Sequence, residues 1–443
     1  MEQVNRSAIL AGSFSEATIP RVNLHRLILF TDSSVERWAT EARVLRWLTL
    51  LWLCLGLAML FSASYPVAYA TEGDGLYYLK RQLLWAVLGL AGFNLIVHLP
   101  LRYVLRASGF CVVICLGLLV ATNIPGLGQS INGASRWLSL GPVPIQPSEL
   151  IKPFLVLQSA LVFGRWERLS WLRRLLWIGT FAAVLLGILL QPNLSTTALC
   201  GILLWLVALA ADLPATYLGG TAALGVLVAC ISIGAREYQR RRVLSFMNPW
   251  ADPQGDGYQL IQSLLAVGSG GLWGTGFGLS QQKHFYLPIQ YTDFIFAVYA
   301  EEFGLIGGLV LLLLLATYAT LALRVALKCK DPVHRLVAIG IGVLLVGQSL
   351  LNIGVATGAL PTTGLPLPMF SYGGNSLLSS LFSAGLLVRV ARESSGAQVI
   401  NLGQQPENLV GLPQRADRPS PSVQPLRPRS RRGPTRPQRR VLR

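Results

Sequence analysis

Residues 47–66 read WLTLLWLCLGLAMLFSASYP, twenty positions without a charged side chain. A helix rises about 1.5 Å per residue, so this block covers the roughly 30 Å of hydrocarbon in a bilayer. Further apolar blocks follow at 79–99, 104–122, 147–164, 175–191, 196–212, 215–235, 293–325, 334–356 and 374–391. The pattern predicts an all-α integral membrane protein of about ten transmembrane helices, with a long outer loop between spans seven and eight. Composition points the same way. Only 13% of the 443 residues are charged, against about 25% in a soluble domain, too few to cover a soluble fold of this size. No small-residue cleavage site follows the first block, which therefore reads as a retained helix and not as a signal peptide.

The formal net charge of +17 would suit a nucleic-acid partner, but its distribution argues against one. Ten arginines crowd the tail from residue 393, and most of the others occupy short loops. Arg43 and Arg46 precede the first span, and Arg102 and Arg106 sit between the second and third. Arg165, Arg168, Arg173 and Arg174 separate the fourth from the fifth, and Arg324, Lys328, Lys330 and Arg335 the eighth from the ninth. All of these fall on one face. Cytoplasmic loops carry the excess of lysine and arginine, so that face and both termini are expected in the cytoplasm.

Three stretches are then left outside, 123–146, 236–292 and 357–373. The second carries Arg236, Arg240, Arg241 and Arg242 against the charge rule. Such a cluster suits an anionic lipid head group, or is simply a solvated helix end. The expected division is a cytoplasmic N-terminal segment at 1–46, a membrane domain at 47–392 and a disordered, arginine- and proline-rich cytoplasmic tail at 393–443. The tail suits anionic lipids of the inner leaflet or a partner protein. The six cysteines show no metal-ligand spacing, and five lie inside apolar blocks, where they read as small packing residues.

Ionisable side chains within a span cost about 2.5–3.5 kcal/mol each on insertion scales, so each one present requires a reason. Span four opens Gln146-Pro147-Ser148-Glu149-Leu150-Ile151-Lys152-Pro153. Glu149 and Lys152 are three apart, hence on one helical face and able to pair. They form either a structural salt bridge or part of a substrate site. Asp293 sits where the long outer loop enters span eight, with Glu301 and Glu302 two turns deeper. A carboxylate at a membrane mouth, near Lys283 and the arginine cluster, is placed to take a proton from a sugar hydroxyl; alternatively it is a helix-start aspartate. The last outer loop, LPTTGLPLPMFSYGGNS at 360–376, is too rich in proline and glycine for a continuous helix, yet apolar. It reads as a re-entrant segment lining a cavity, or as an interfacial loop.

Together these segments resemble the SEDS family (shape, elongation, division and sporulation) over residues 47–392. The likeness is carried by Ser62-Ala63-Ser64, Lys80-Arg81-Gln82, Asn132-Gly133-Ala134-Ser135-Arg136-Trp137 and the QPSELIK run at 146–152. It continues through Arg241-Arg242-Val243, Phe246-Met247-Asn248-Pro249-Trp250, Gly257-Tyr258-Gln259, Ser280-Gln281-Gln282-Lys283, Thr292-Asp293-Phe294-Ile295-Phe296 and Glu301-Glu302 to the PTTGLPLP and SYGGNS runs. The SQQK run ending at Lys283 and the NPWADP run at 248–253 are more similar to the FtsW, division-type branch than to RodA.

The resemblance implies a peptidoglycan glycosyltransferase of the bacterial inner membrane, enriched at the division septum. It would polymerise lipid II into glycan strands beside a class B penicillin-binding protein and other divisome proteins. Carried over by motif, Asp293 is the expected catalytic base, and Arg136 and Trp137 an outer-loop pair needed for activity. Glu149 and Lys152 are the family's charged pair in span four. Arg241, Arg242 and Lys283 are basic positions for diphosphate or lipid head groups, and Ser371 belongs to the glycine–serine turn. All eight of these partners of Asp293 are expected to bind substrate.

The sequence also departs from the family. Ile289 and Tyr291 stand where glutamate and histidine are usual, so a second carboxylate is missing beside Asp293. Pro192-Asn193-Leu194-Ser195-Thr196 replaces a Pro-Asp-x-Gly-Thr run, and Asn375 replaces a serine. A divalent cation, magnesium or manganese, would suit a diphosphate, but no ligand set for one can be read. The rival expectation is a lipid II flippase using the same cavity, which requires access from both faces; a scaffold that only recruits the penicillin-binding protein is a third.

Overall fold

The computed structural model describes residues 38–124, 127–131, 134–140 and 143–403, together with Val35. The segment before Val35, the Asn132-Gly133 step and the arginine-rich tail beyond 403 lie outside the described residues. All ten apolar blocks fold as helices. The first seven are α1 (Thr40–Glu72), α2 (Tyr77–His98), α3 (Leu101–Ala121), α4 (Pro147–Phe163), α5 (Trp171–Leu190), α6 (Leu194–Ala210) and α7 (Ala215–Ala235). The long outer loop holds two helices, α8 (Glu237–Met247) and α9 (Tyr258–Ser269). The remaining spans are α10 (Ile295–Lys328), a ninth built from α11 (Pro332–Gly342) and α12 (Gln348–Ala356), and α13 (Gly374–Gly403).

Eight of these stretches are long and apolar enough to cross a membrane. The other two, α4 and α6, have 17 residues each. At about 1.5 Å per residue they cover about 25 Å, near the lower limit for a span. Both are inner helices: α4 packs on α3, α6 and α11. Pro147 opens α4 at a position where its missing N–H leaves no bond unmade. Trp52 of α1 and Tyr318 of α10 are fully buried and meet edge to face at 5.4 Å. The outside of the bundle exposes many large apolar side chains, as lipid contact requires. α7 is the extreme case, burying only Leu218 and Ser232.

Three outer features depart from plain helices. The loop after α3 carries a small antiparallel sheet, β1 (Gly128–Ile131), β2 (Ala134–Leu140) and β3 (Val143–Ile145), in that order, with Gln129 opposite Trp137 and Leu138 opposite Ile145. The sequence reading expects only a loop there. Second, α10 breaks at Gly304, whose φ of 63° and ψ of −162° lie outside the helical region. That left-handed backbone favours glycine. The groups freed by the break bond to the segment after α9: Leu305 N to Gly271 O (2.9 Å), Ile306 N to Leu272 O (3.2 Å), Thr275 N to Glu301 O (2.9 Å) and Gly276 N to Glu302 O (3.0 Å). Irregular backbone at membrane depth must be satisfied within the protein, and here it is.

Third, residues 357–373 run irregularly, partly exposed up to Gly364 and mostly buried beyond it. Leu365, Leu367, Met369 and Phe370 are all at most 2% exposed. A Cβ added to Gly56, halfway along α1, would lie 2.1 Å from the carbonyl oxygen of Met369. The segment therefore dips to the middle of α1, and only a glycine there admits it.

Candidate functional site

Asp293 lies two residues before α10, partly buried at the outer mouth of the bundle. Thr292 Oγ1 donates to its Oδ1 at 2.8 Å. On α8, residues 238 and 242 are one turn apart and share a face. The Arg242 guanidinium lies 4.6 Å from the centre of the Tyr238 ring and donates to Thr362 O at 3.2 Å. The two groups meet across Gly364, whose φ of +70° favours glycine. A Cβ built there would lie 3.8 Å from Arg242 Nη1 and 3.8 Å from Asp293 Oδ2. Burial raises the Asp293 carboxyl above its ordinary range, while Thr292, its own backbone N–H and the Arg242 charge pull it back. A carboxylate so raised is a better proton acceptor than a solvated one.

Arg136 is the extra residue of a β-bulge opposite the Gln129–Ser130 step. Bulges re-aim side chains, and this guanidinium turns to the loop between α5 and α6. Its Nε donates to Gln191 O (3.1 Å) and its Nη2 to Pro192 O (2.8 Å). It feels the charge of Arg242, so it closes the loop beside the same site. In that loop Asn193 caps α6, accepting from Thr196 N at 3.2 Å, a role that asparagine fills as well as the family's usual aspartate. Trp137 follows on β2, half-buried.

Several expected substrate contacts have other partners. Arg241 does not face Asp293 with Arg242: 100° further round α8, it pairs with Glu237 at 2.5 Å and reaches Asp256 at 4.0 Å, outside the bundle. Lys283 is not a free cation either. It is 4% exposed, and its ammonium bonds Glu302 Oε1 at 3.0 Å and Ser62 Oγ at 3.1 Å. Neighbouring Glu301 holds the loop itself, accepting from Ser280 Oγ and from the Gln281 and Gln282 N–H groups. The Ser371 hydroxyl is spent on backbone, donating to Thr292 O and accepting from Leu367 N at 2.8 Å. It fixes the re-entrant segment beside Asp293.

Glu149 and Lys152 form a buried ion pair at 2.7 Å. The Lys152 ammonium also donates to Gln348 Oε1 at 2.9 Å. Gln348 and Asn352 are two site residues the sequence reading passes over, because it weighs ionisable side chains within spans and not amides. Two amides spaced i, i+4 in an otherwise apolar helix were the available signal. Another amide, Gln82 of the Lys80-Arg81-Gln82 run, brackets the glycine–serine turn, donating to Ser371 O and accepting from Gly373 N, both at 3.2 Å. Tyr291, in the usual histidine position, stacks on Tyr78 with ring centres 4.6 Å apart, and Tyr372 meets both edge-on. Among the described residues no three His, Cys, Asp or Glu side chains gather as a metal ion would require.

Comparison with known proteins gives concordant likenesses. A family model described as cell cycle protein, for FtsW, RodA and SpoVE, matches residues 42–396. A probable peptidoglycan glycosyltransferase FtsW of Synechocystis sp. is 58% identical over 386 residues, 87% of this chain and 98% of that protein. A solved structure described as the structural coordination of polymerization and crosslinking by a peptidoglycan synthase complex is similar at a TM-score of 0.63 and 32% identity, over 79% of this chain and 97% of that one. The crystal structure of the Thermus thermophilus rod shape determining protein RodA is similar at a TM-score of 0.58 and 29% identity, over 79% and 96%.

Proposed function

The chain belongs to the family of FtsW, RodA and SpoVE, and from that premise we propose that it is a peptidoglycan glycosyltransferase, polymerising lipid II into glycan strands during septal wall synthesis. It is a multi-pass membrane protein. The basic loops support a topology with both termini in the cytoplasm and the Asp293 site at the outer face. A class B penicillin-binding protein is the natural partner, since a similar structure is described as a synthase complex that also crosslinks. Other divisome proteins are further partners at the septum.

The observation that carries the reading is Asp293 and Arg242 facing the same gap at Gly364. In the reaction, the 4-hydroxyl of an incoming lipid II attacks the anomeric carbon of the growing glycan, which is still held on its lipid diphosphate. The new C–O bond forms as the bond to the diphosphate oxygen breaks, with inversion. Asp293 takes the hydroxyl proton. The lipid diphosphate leaves with the bonding electron pair, and Arg242 stabilises its growing charge by preorganised electrostatics. Arg136, Ser371 and Lys283 act by holding the loops that carry these groups. A magnesium or manganese ion, if bound, would be held mainly by the substrate diphosphate and would offset its charge, since among the described residues no three His, Cys, Asp or Glu side chains gather.

The test is polymerisation of lipid II by the purified protein with its penicillin-binding partner, the partner's transpeptidase blocked by antibiotic. Wild type is expected to make long glycan, and Asp293→Asn to lose about 10²- to 10⁴-fold in rate. Equal rates would end the base assignment. No glycan from a folded, complexed wild type would favour the flippase reading.

A further inference from the structure

The geometry points to a role for Gln348 and Asn352 that neither motif nor ionisable chemistry suggests: we propose that they form a bracket that positions Asp293 against the re-entrant segment, and that the buried Glu149–Lys152 pair acts on the reaction through this bracket and not by touching substrate. The inference rests on the glycosyltransferase reading.

The two residues are one helical turn apart on α12 and share a face. Asn352 Nδ2 donates to Asp293 O at 2.6 Å and to Leu365 O at 2.8 Å. One amide thus ties the backbone of the base to the residue immediately after Gly364. Gln348 Nε2 donates to Pro366 O at 2.7 Å, while its Oε1 accepts from Lys152 at 2.9 Å. The carbonyls of 365 and 366 are therefore both held from α12, which fixes Gly364 between Arg242 and Asp293. Lys152 is 2% exposed, with Glu149 on one side and Gln348 on the other. Among the described residues, the pair's hydrogen-bonded path to the site runs through Gln348 to the Pro366 carbonyl. Asn352 Oδ1 is buried without a donor, so this side chain is retained for its two N–H donors.

The backbone supports the same role. A π-helical stretch, Val343–Gly347, directly precedes Gln348. Such wide turns are rare and recur at functional sites. The extra residue rotates α12 relative to α11 and turns 348 and 352 toward the site.

The test uses the full-length protein with its partner in the polymerisation assay, complex formation verifying each fold. Asn352→Leu and Gln348→Met keep size and remove the donors. A neutral replacement of the pair, Glu149→Leu with Lys152→Met, avoids stranding a buried charge. Each is expected to lower kcat about tenfold or more, since small misplacement of a reacting group is costly, while KM for lipid II stays within about twofold. Adding Gln348→Met to the neutral pair is expected to cost no more than about twofold further, because residues acting through one path are not additive. Losses that multiply, a rise in KM at unchanged kcat, or full activity of Gln348→Met and Asn352→Leu would each overturn the bracket. An inactive wild type would instead overturn the glycosyltransferase reading.

Discussion

At the scale of single residues, the site depends on what stands between a carboxylate and a guanidinium. Gly364→Ala would place a methyl 3.8 Å from both groups, in the space where the reacting atoms must meet. It would also force a side chain into left-handed backbone at about 1–2 kcal/mol. The expected outcome is a folded protein with strongly reduced polymerisation, checked by rate against complex formation. Arg242→Gln is expected to show its effect in the pH profile as well as in rate. Asp293 is raised by burial and pulled back in part by Arg242. The base must be deprotonated, so activity rises as pH climbs through its pKa. Without the arginine that pKa rises further, and the acid limb of kcat/KM moves to higher pH. A limb that stays in place would show that Arg242 does not act on Asp293. Asp293 and Arg242 were legible in the sequence through an acid at a span mouth and arginines on the outer side. Arg241 was not separable from Arg242 by composition. Only helical phase divides neighbours at 241 and 242, sending one to Glu237 and the other to Thr362.

At the scale of elements, the broken helix α10 and the loop clamped to it place Lys283 and Glu302 deep in the protein. Breaking such a pair strands a buried charge and costs about 3–5 kcal/mol. Lys283→Met is thus expected to lower thermal stability, and Lys283→Met with Glu302→Leu to recover most of it. A single variant as stable as wild type would show the pair to be dispensable. The spans were readable because about twenty apolar residues in a row have one use. The outer sheet was not, since QSINGASRWLSL at 129–140 alternates weakly and its strands are set by pairing across a bulge. Nor were α8, whose apolar face is modest within a polar stretch, and α9, which is apolar but at 12 residues too short to read as a span. The break at Gly304 was hidden for a related reason. GLIGGLV at 304–310 reads as uninterrupted span, and the Gly271–Gly276 segment that forces the break is distant in sequence.

At the scale of the whole molecule, every group assigned to the reaction gathers at one end of the bundle, on the side opposite the basic short loops. A cysteine introduced at Gly255, between α8 and α9, should react with an impermeant thiol reagent added outside intact cells. One introduced at Lys330, between α10 and α11, should react only after permeabilisation. The reverse pattern would invert the topology and place the site in the cytoplasm. The native Cys329 is a poor probe, because burial pushes its thiol up to about 11. α7 carries a different kind of consequence. It buries only Leu218 and Ser232, and most of its other side chains face outward, where lipid would meet them. Lipid distinguishes leucine from valine or phenylalanine hardly at all. Inheritance can therefore rewrite α7 almost freely, preserving its length and greasiness and little else, whereas α12 and the segment at 357–373, whose side chains and carbonyls hold Asp293, should tolerate few changes. In lineages descended from this gene, α7 should lose its spelling first.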